Sequence, residues 1–333
     1  MNPPVPEKKT ITLTCQVDSY RSGWTVVEFL AHRFHYHTAD GWKERVADGR
    51  VRINGARVEP AARVTRDDAV QYTIEHAEPA VDGRYDVLYE DDDLLCVSKS
   101  GNIPVHACGV YITHTLIARL RDAYGPAVNL CHRLDRETSG VVVLAKNREA
   151  NRVLAGAFAR GDVHKEYVAV VVGEVARDAF VVDAAIGKVD MRAAYPDTYR
   201  RGKARDLATY LPKRVVVAKG GKTAETRFEV LARGGRYSTL RAIPAQGRTN
   251  QIRVHAAHAG YPIVGDKVYM LHGAARDELL HEGLTDAVRA ALVAPRQLLH
   301  CARLAFTHPV TGQRRVVEAG MPGDMRPFCG DFF

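Results

Sequence analysis

An apolar run of mostly β-branched residues, 141–145, follows directly after a polar stretch, 131–140. Such a run predicts a buried strand, and the Thr-Ser-Gly sequence at 138–140 predicts the turn that leads into it. The polar stretch carries Asp135, with arginines on both sides. Loops held by a rigid scaffold often carry chemistry, but Asp135 could equally cap the turn through nearby backbone amides. Local features leave both interpretations open.

The composition narrows the class of protein. The chain has 333 residues, of which 46% are hydrophobic and 26% charged, which is typical of a globular protein with room for two domains. It contains no run of about 18 apolar residues and no apolar signal core near its start, so we expect neither a membrane span nor a secretion signal. The six cysteines are scattered without a CxxC pair, which favours a reducing, cytoplasmic location and predicts no structural zinc.

The charge is unbalanced. The net charge is +8 and the pI is near 9.2, which either favours a polyanionic partner or is incidental. Residues 187–222 concentrate lysines and arginines, with few acids and with interleaved tyrosines. Because such cations neutralise phosphates and tyrosines can stack on bases, this stretch predicts nucleic-acid contact. The alternative is a flexible basic insertion without a dedicated role.

The first part of the chain predicts a small α+β domain. Residues 1–19 form an N-terminal segment with a strand pattern, 20–77 predict two helices and an Asn-Gly hairpin, and 78–84 predict a linker. The phrase at 49–58 resembles the alpha-L type RNA-binding domain of ribosomal proteins and several RNA-modifying enzymes. The resemblance implies RNA contacts at Arg50, Arg52 and Arg57. The alternative is a subdomain whose arginines are merely solvated.

A larger domain is predicted over 85–325. It alternates strand patterns with amphipathic helices, among them 148–160 and a helix with Thr249 as N-cap and Gly260 as its stop. The usual phosphate-loop, dinucleotide, serine-hydrolase and zincin motifs do not occur in a meaningful context.

Four phrases of this domain resemble motifs of the RluA family of RNA pseudouridine synthases and occur in the order that the family has. The resemblance covers about residues 83–320. The four phrases are His132-Arg133-Leu134-Asp135 with Thr138-Ser139-Gly140, Lys165-Glu166-Tyr167, Gly247-Arg248-Thr249-Asn250-Gln251-Ile252-Arg253-Val254-His255 with Gly265-Asp266-Lys267, and Leu298-Leu299-His300-Cys301 with His308-Pro309. The chain departs from the family at 99–102, where Lys-Pro-(Ala/Ser)-Gly is usual, and at Asn250 and Cys301, where histidine and alanine are common.

The resemblance implies a reaction and a fold. A uridine in folded RNA is isomerised to pseudouridine: the bond between uracil and ribose breaks, the base turns, and carbon-5 is joined to the ribose. The fold it implies is α+β, with a mixed, mostly antiparallel sheet, flanking helices and a central cleft. No metal and no organic cofactor is implied, and we expect a monomer that acts on RNA.

The resemblance also implies roles for three residues. Asp135 is the catalytic carboxylate, kept ionised by nearby positive charge, and either attacks the anomeric carbon or removes a proton from the sugar. Tyr167 stacks on the base and assists proton removal from carbon-5. Arg253 pairs with Asp135 and fills the gap left by the flipped-out nucleotide. Further implied RNA contacts are Arg133, Arg136, Lys165, Arg248 and Gln251.

The RNA target and two competing functions remain open at this stage. The phrase at 103–109 resembles a branch with eukaryotic members, some of which modify the tRNA anticodon stem-loop, and it favours tRNA over ribosomal RNA. A catalytically inactive RNA-binding or ribosome-assembly factor on the same scaffold is the main alternative, although the intact Asp135, Tyr167 and Arg253 argue against it. A glycosidase needs a second carboxylate, for which Glu137 is the local candidate.

Overall fold

The computed structural model describes residues 8–34, 37–194 (without the side chain of Arg192) and 210–329. The chain divides into two compact units, Met1–Ala80 and Val81–Phe333. The division falls inside the predicted linker at 78–84.

The N-terminal unit pairs two helices with a small antiparallel sheet. Its elements are β1 (Lys8–Gln16), α1 (Val26–Arg33), α2 (Ala39–Ala47), β2 (Val51–Ile53), β3 (Ala56–Arg57) and β4 (Ala69–Ala77). The four strands lie in the order β1-β4-β2-β3. The segment at 1–19, in which the sequence shows a strand pattern, contributes β1, which pairs with β4 along its whole length. The core between helices and sheet contains Phe29, Leu30, Trp42, Val46 and Val70.

Local chemistry explains where these elements begin and turn. Thr25 and Glu28 form a capping box at the start of α1, each side chain accepting a backbone N–H of the other. Asn54 and Gly55 have φ angles of 50° and 83°, as the two-residue hairpin turn requires. The arginines with predicted RNA contacts lie in this unit and are exposed: Arg50, Arg52 and Arg57.

The second unit is built on one large sheet. Its strands are β5 (Tyr85–Glu90), β6 (Leu94–Lys99), β7 (Asn129–Leu130), β8 (Ser139–Ala145), β9 (His164–Val172), β10 (Ala179–Asp183), β11 (Ile186–Lys188), β12 (Arg214–Val216), β13 (Glu225–Arg233), β14 (Tyr237–Pro244), β15 (Leu299–Thr307) and β16 (Arg314–Glu318). Its helices are α3 (Leu116–Tyr124), α4 (Arg148–Arg160), α5 (Met191–Ala194), α6 (Gln251–His258), α7 (Gly273–His281) and α8 (Asp286–Leu292). Among the described residues, no helix has the length and apolar character needed to cross a membrane.

The order of strands in the ten-stranded sheet is β10-β13-β14-β9-β15-β8-β6-β5, with β16 beside β15 and β7 beside β8. Among the described strands of this sheet, β15 and β8 are parallel, whereas the other pairs are antiparallel. The mixed, mostly antiparallel sheet with flanking helices is therefore confirmed. Strands β11 and β12 form a separate two-stranded ribbon within the basic stretch, of which residues 195–209 lie outside the described part.

Strand β15 joins the two halves of the sheet. Its Cys301 is aligned with Tyr167 of β9 on one side and with Gly140 of β8 on the other. Gly140 has a φ of +107°, and a Cβ atom there would lie 2.2 Å from the carbonyl oxygen of Cys301. The position therefore requires glycine for two reasons, backbone conformation and close approach of the strands.

We predict that Gly140→Ala destabilises the protein by about 3 kcal/mol, because backbone strain and overpacking each cost about 1–3 kcal/mol. Gly235→Ala is the matched control, since Gly235 also has a positive φ (+69°) but no atom within 4 Å of an added Cβ. Urea unfolding of both variants measures the difference. Equal losses would show that the approach of β15 is not what constrains Gly140.

Candidate active site

The loop at 132–138, here called the Asp135 loop, enters the sheet at β8. The backbone N–H of Thr138 donates to the carbonyl of Asp135 over 3.1 Å, which closes the turn. The ring of His132 accepts the backbone N–H of Val143 at Nε2 over 2.9 Å and stacks on Phe158 with ring centroids 4.3 Å apart. These contacts fix both ends of the loop, so that the turn interpretation and a functional role for Asp135 are compatible.

Asp135 faces an arginine from α6. Nη1 of Arg253 donates to Oδ2 of Asp135 over 2.8 Å. The same guanidinium makes two further bonds to Asp266, Nε–Oδ2 of 2.7 Å and Nη2–Oδ1 of 2.8 Å. Burial alone would lower the pKa of Arg253, but the carboxylates of Asp266 and Asp135 hold that pKa well above its usual value. The arginine is therefore a fixed cation shared between two acids.

Asp266 is the site residue that sequence reasoning missed. It occurs in the family phrase at 265–267, but the phrase gives it no role. In the structure its side chain is fully buried, and its carboxylate accepts the backbone N–H groups of Val268 and Tyr269 in addition to the two bonds from Arg253. The ring of Tyr269 covers the guanidinium, with its centroid 5.2 Å from Cζ. A signal existed in the sequence, since a buried arginine needs a buried acid.

The start of α6 differs from the prediction. The predicted N-cap at Thr249 is wrong: the cap residue is Asn250, which has a φ of 58° and makes no side-chain cap bond. The side chain of Gln251 takes over the local bonding, accepting the N–H of Arg248 and donating to the carbonyl of Glu225, over 3.0 and 2.9 Å. The amide of Gln251, predicted to contact RNA, is thus buried and engaged within the protein.

Tyr167 lies on β9 and borders the same cleft as Asp135. Desolvation of its phenol raises the pKa of Tyr167 well above the usual value. The cleft encloses about 100 Å³ and brings together most of the predicted site residues: Asp135, Tyr167, Arg253, Arg133, Lys165, Arg248 and Gln251. Residues from three separate phrases of the sequence therefore meet at one place.

The two arginines beside Asp135 point to another loop, at 100–113. Nη1 of Arg133 lies 3.1 Å from Nε2 of His106. Nη1 of Arg136 donates to the hydroxyl of Tyr111 over 2.9 Å and to Oδ1 of Asn102 over 3.2 Å. Arg133 lines the cleft, whereas Arg136 is not among its lining residues and links the Asp135 loop to the loop at 100–113. This is the region where the chain departs from the family at 99–102.

The carboxylate of Glu137 is engaged away from Asp135. It accepts bonds from Nζ of Lys267 at 2.9 and 3.0 Å, from Arg136 at 2.7 Å and from the backbone N–H of Gln297 at 3.3 Å. A glycosidase would need this acid to face a substrate together with Asp135. The bonding of Glu137 fits a structural anchor for the loop.

Two basic side chains, Lys99 of β6 and Arg296 just before β15, bind the backbone of the Asp135 loop. Nζ of the fully buried Lys99 donates to the carbonyl of Arg136 over 3.0 Å, and burial lowers the pKa of Lys99 to about 7. Nη1 of Arg296 donates to the carbonyl of Glu137 over 3.0 Å. The loop is thus held by its backbone and by its side chains.

The acidic turn at 90–93 is satisfied by local bonds. Oδ1 of Asp91 accepts the backbone N–H groups of Asp93 and Leu94, and Oδ2 lies 2.9 Å from Nε2 of His308. Asp91, Asp93 and His308 are close enough to share a cation. Their bonds are those of a turn tied to the β15–β16 connection.

Several known proteins are similar to this chain in sequence and in fold. A family model described as RNA pseudouridylate synthase matches residues 93–258. The ribosomal large subunit pseudouridine synthase D of Vibrio parahaemolyticus is 31% identical over 326 residues, 95% of this chain and 93% of that protein. The mitochondrial tRNA pseudouridine(32) synthase of Saccharomyces cerevisiae is 30% identical over 245 residues, 73% of this chain and 50% of that protein. The structure of human RNA pseudouridylate synthase domain containing 1 has a TM-score of 0.54 at 24% identity, covering 73% of this chain and 86% of that one.

The sheet, its cleft and these matches define an RNA pseudouridine synthase, an isomerase that converts uridine in RNA to pseudouridine. More narrowly, the chain belongs to the RluA family. The predicted fold class, enzyme class and family are confirmed. The roles of individual residues and of the N-terminal unit stay predictions.

We predict that Asp266→Asn lowers stability by about 3 kcal/mol, because removing one partner of a buried ion pair leaves a charge poorly compensated. Asp178→Asn is the control: Asp178 is exposed and pairs with Arg233 over 2.6 Å, so its loss should cost less than about 1 kcal/mol. Chemical denaturation of both variants tests this. A cost for Asp266→Asn no larger than that of the control contradicts the shared-arginine arrangement.

Proposed function

We propose that this enzyme isomerises specific uridines in structured RNA and that Asp135 is its catalytic carboxylate. The observation that carries the proposal is the 2.8 Å bond between Asp135 and Arg253 in a cleft that Tyr167 also borders. Arg253 fixes the position of this carboxylate in the cleft, where it can act by nucleophilic attack or by proton abstraction. Both forms of the chemistry stay open.

For the neighbours we propose the roles that the family resemblance implies, which is supported by their place in the lining of the same cleft. Tyr167 stacks on the target base and later assists loss of the carbon-5 proton. Arg253 orients Asp135 and fills the space that the flipped nucleotide leaves. Base flipping is needed because an enzyme cannot reach the glycosidic bond inside a stacked helix. The small volume of the cleft, about 100 Å³, suits a single base that has left its stack.

We also propose where the RNA lies outside the cleft. Arg133 and Arg248, which line the cleft, and Arg136, which is outside its lining, contact the RNA backbone next to the target, and the basic stretch at 187–222 continues that contact. The net charge of +8 supports a polyanionic ligand. Gln251, by contrast, acts through the geometry of α6, because its amide bonds are internal.

We propose tRNA rather than ribosomal RNA as the substrate, because the phrase at 103–109 resembles a branch of the family in which some members modify tRNA. The relatives include synthases named for ribosomal large subunit RNA and for tRNA, so a test must cover both. We further propose a cytoplasmic monomer that works without an organic cofactor.

Asp135→Asn should abolish pseudouridine formation while leaving RNA binding intact, since the change removes one charge and keeps the side-chain shape. The experiment maps pseudouridine in total RNA from cells that lack the gene, from cells with the wild-type protein and from cells with the variant. The position present only with the wild type names the substrate. Activity retained by the variant would refute the role of Asp135. RNA binding without any such position, even with the wild type, would favour the inactive assembly-factor alternative.

Replacing Arg50, Arg52 and Arg57 together by alanine should weaken RNA binding and make it less dependent on salt. Each phosphate contact contributes roughly 0.7–0.9 to the magnitude of the slope of log affinity against log salt concentration. We expect the slope to fall in magnitude by about 2. Arg152→Ala is the control, since Arg152 is also exposed but pairs with Glu149 on α4. An unchanged slope would contradict RNA contact by the N-terminal unit.

A further inference from the structure

Lys165 has an unusual environment within the cleft. It lies on β9 two positions before Tyr167, so both side chains are on the same face of the strand. It borders the cleft together with Asp135 and Tyr167. Only 7% of the residue is exposed to solvent, although lysines are rarely buried unless they are paired. The question is what compensates its charge.

The described residues offer Lys165 no anion. Its ammonium donates one hydrogen bond, to the carbonyl of Val163 over 3.2 Å, although an ammonium carries three N–H groups. No carboxylate of the described residues lies within ion-pair distance of it. Lys267 is buried to the same extent, 7% exposed, yet has the carboxylate of Glu137 at 2.9 Å. The contrast marks Lys165 as a buried cation with spare donors.

The titratable groups beside Lys165 stay neutral. Burial, helped by the charge of Lys165, lowers the pKa of His132 to about 3, and Nε2 of that ring already accepts the N–H of Val143. Burial raises the pKa of Cys301 to about 12, so its thiol stays protonated. Burying a charge without a partner is costly. Burial also lowers the pKa of Lys165. A ligand that carries negative charge into the cleft would supply the compensation that the described residues lack.

We propose that Lys165 is a catalytic residue that donates a hydrogen bond to O2 or O4 of the target uracil. This assignment rests on the proposed function of the cleft. When the bond between C1′ of the ribose and N1 of uracil breaks, its electron pair moves onto N1 and is shared by O2 and O4. A preorganised buried ammonium at either oxygen stabilises that charge.

Lys165 keeps its protons throughout. The base turns while it carries the negative charge, and carbon-5 then uses an electron pair of the ring to form the new bond to C1′. In the same step the bond between C1′ and the Asp135 carboxylate breaks or, if Asp135 has removed a sugar proton instead, that proton returns to the sugar. The proton on carbon-5 leaves and N1 takes up a proton, so the product is an isomer of the substrate. Lys165 thus acts through charge and hydrogen bonding, and no oxidant, reductant or further reactant is needed.

The depth of Lys165 favours the base over a phosphate. Arg133 borders the same cleft but is exposed, and is better placed for the RNA backbone. Lys165 shares its strand face with Tyr167, the side chain proposed to stack on the base. A donor beside the stacking residue faces the edge of the ring, where the uracil oxygens lie.

The test compares Lys165→Met with Lys146→Met in single-turnover reactions on a transcript of the RNA that the mapping experiment identifies. We expect Lys165→Met to slow the reaction about 100-fold, the effect typical of losing one such donor, with RNA affinity changed by less than about threefold. Lys146 pairs with Glu90 and lies outside the cleft, so the control should react at the wild-type rate. A wild-type rate for Lys165→Met would overturn the proposal, and so would weaker RNA binding with an unchanged rate at saturation, which indicates a phosphate contact.

Stability separates this role from a structural one. Lys165→Met should be at least as stable as the wild type, because a methionine needs no counter-charge in a buried position. Lys146→Met should lose stability with its ion pair. If Lys165→Met unfolds at a lower denaturant concentration in proportion to its lost activity, the lysine is structural and the proposal fails.

Substrates with sulfur in place of one oxygen identify the contact. Transcripts with 2-thiouridine or 4-thiouridine at the target position weaken a hydrogen bond to O2 or O4 respectively. One of the two thio substrates should react more slowly than the unmodified transcript with the wild-type protein. With Lys165→Met, that substrate and the unmodified transcript should react at the same rate. If both thio substitutions slow Lys165→Met by the same factor as the wild type, Lys165 does not contact the base and the proposal is overturned. A wild-type protein without activity on the unmodified transcript would instead refute the proposed function, before any variant is compared.

Discussion

The site depends on one guanidinium shared by two carboxylates. Arg253 joins α6 to the Asp135 loop through Asp135 and to the loop after α6 through Asp266. The next residue, Lys267, binds Glu137 on the Asp135 loop. The adjacent residues Asp266 and Lys267 therefore fix both sides of the Asp135–Arg253 pair: Asp266 binds Arg253, and Lys267 binds the loop that carries Asp135. Because Asp266 makes two of the three bonds to the arginine, Arg253 keeps a charge partner even when Asp135 is engaged with a substrate.

The contrast among the buried cations clarifies their functions. Arg253, Lys267 and Arg296 have carboxylate partners, and Lys99 and Arg296 also bind backbone carbonyls of the Asp135 loop. These four side chains maintain the position of Asp135. Lys165 is bound by one carbonyl and faces the cleft. A region that must bind a polyanion can keep such a charge, since the ligand supplies the compensation that the protein lacks.

Much of the architecture could be predicted from the sequence where one pattern dominates. The apolar run at 141–145 is fully buried in β8, and α4 spans the predicted 148–160. The family phrases predicted that Asp135, Tyr167 and Arg253 share one site, and all three line the same cleft. The sequence did not predict β10, the β11–β12 ribbon or α7, because short edge strands and weakly amphipathic helices carry little periodic signal. The cap at Asn250 and the role of Asp266 depend on tertiary contacts with distant residues, and local propensity does not contain them.

The placement of β15 has a consequence for how the enzyme is made. This strand begins at Leu299, more than 100 residues after β8 and β9, which begin at Ser139 and His164, yet it lies between them. The strands that carry the Asp135 loop and Tyr167 become neighbours across the sheet only after β15 has been synthesised and inserted between them. Such long-range pairing is slow to form. The N-terminal unit can therefore fold early, while the catalytic cleft stays incomplete until β15 has been inserted between β8 and β9.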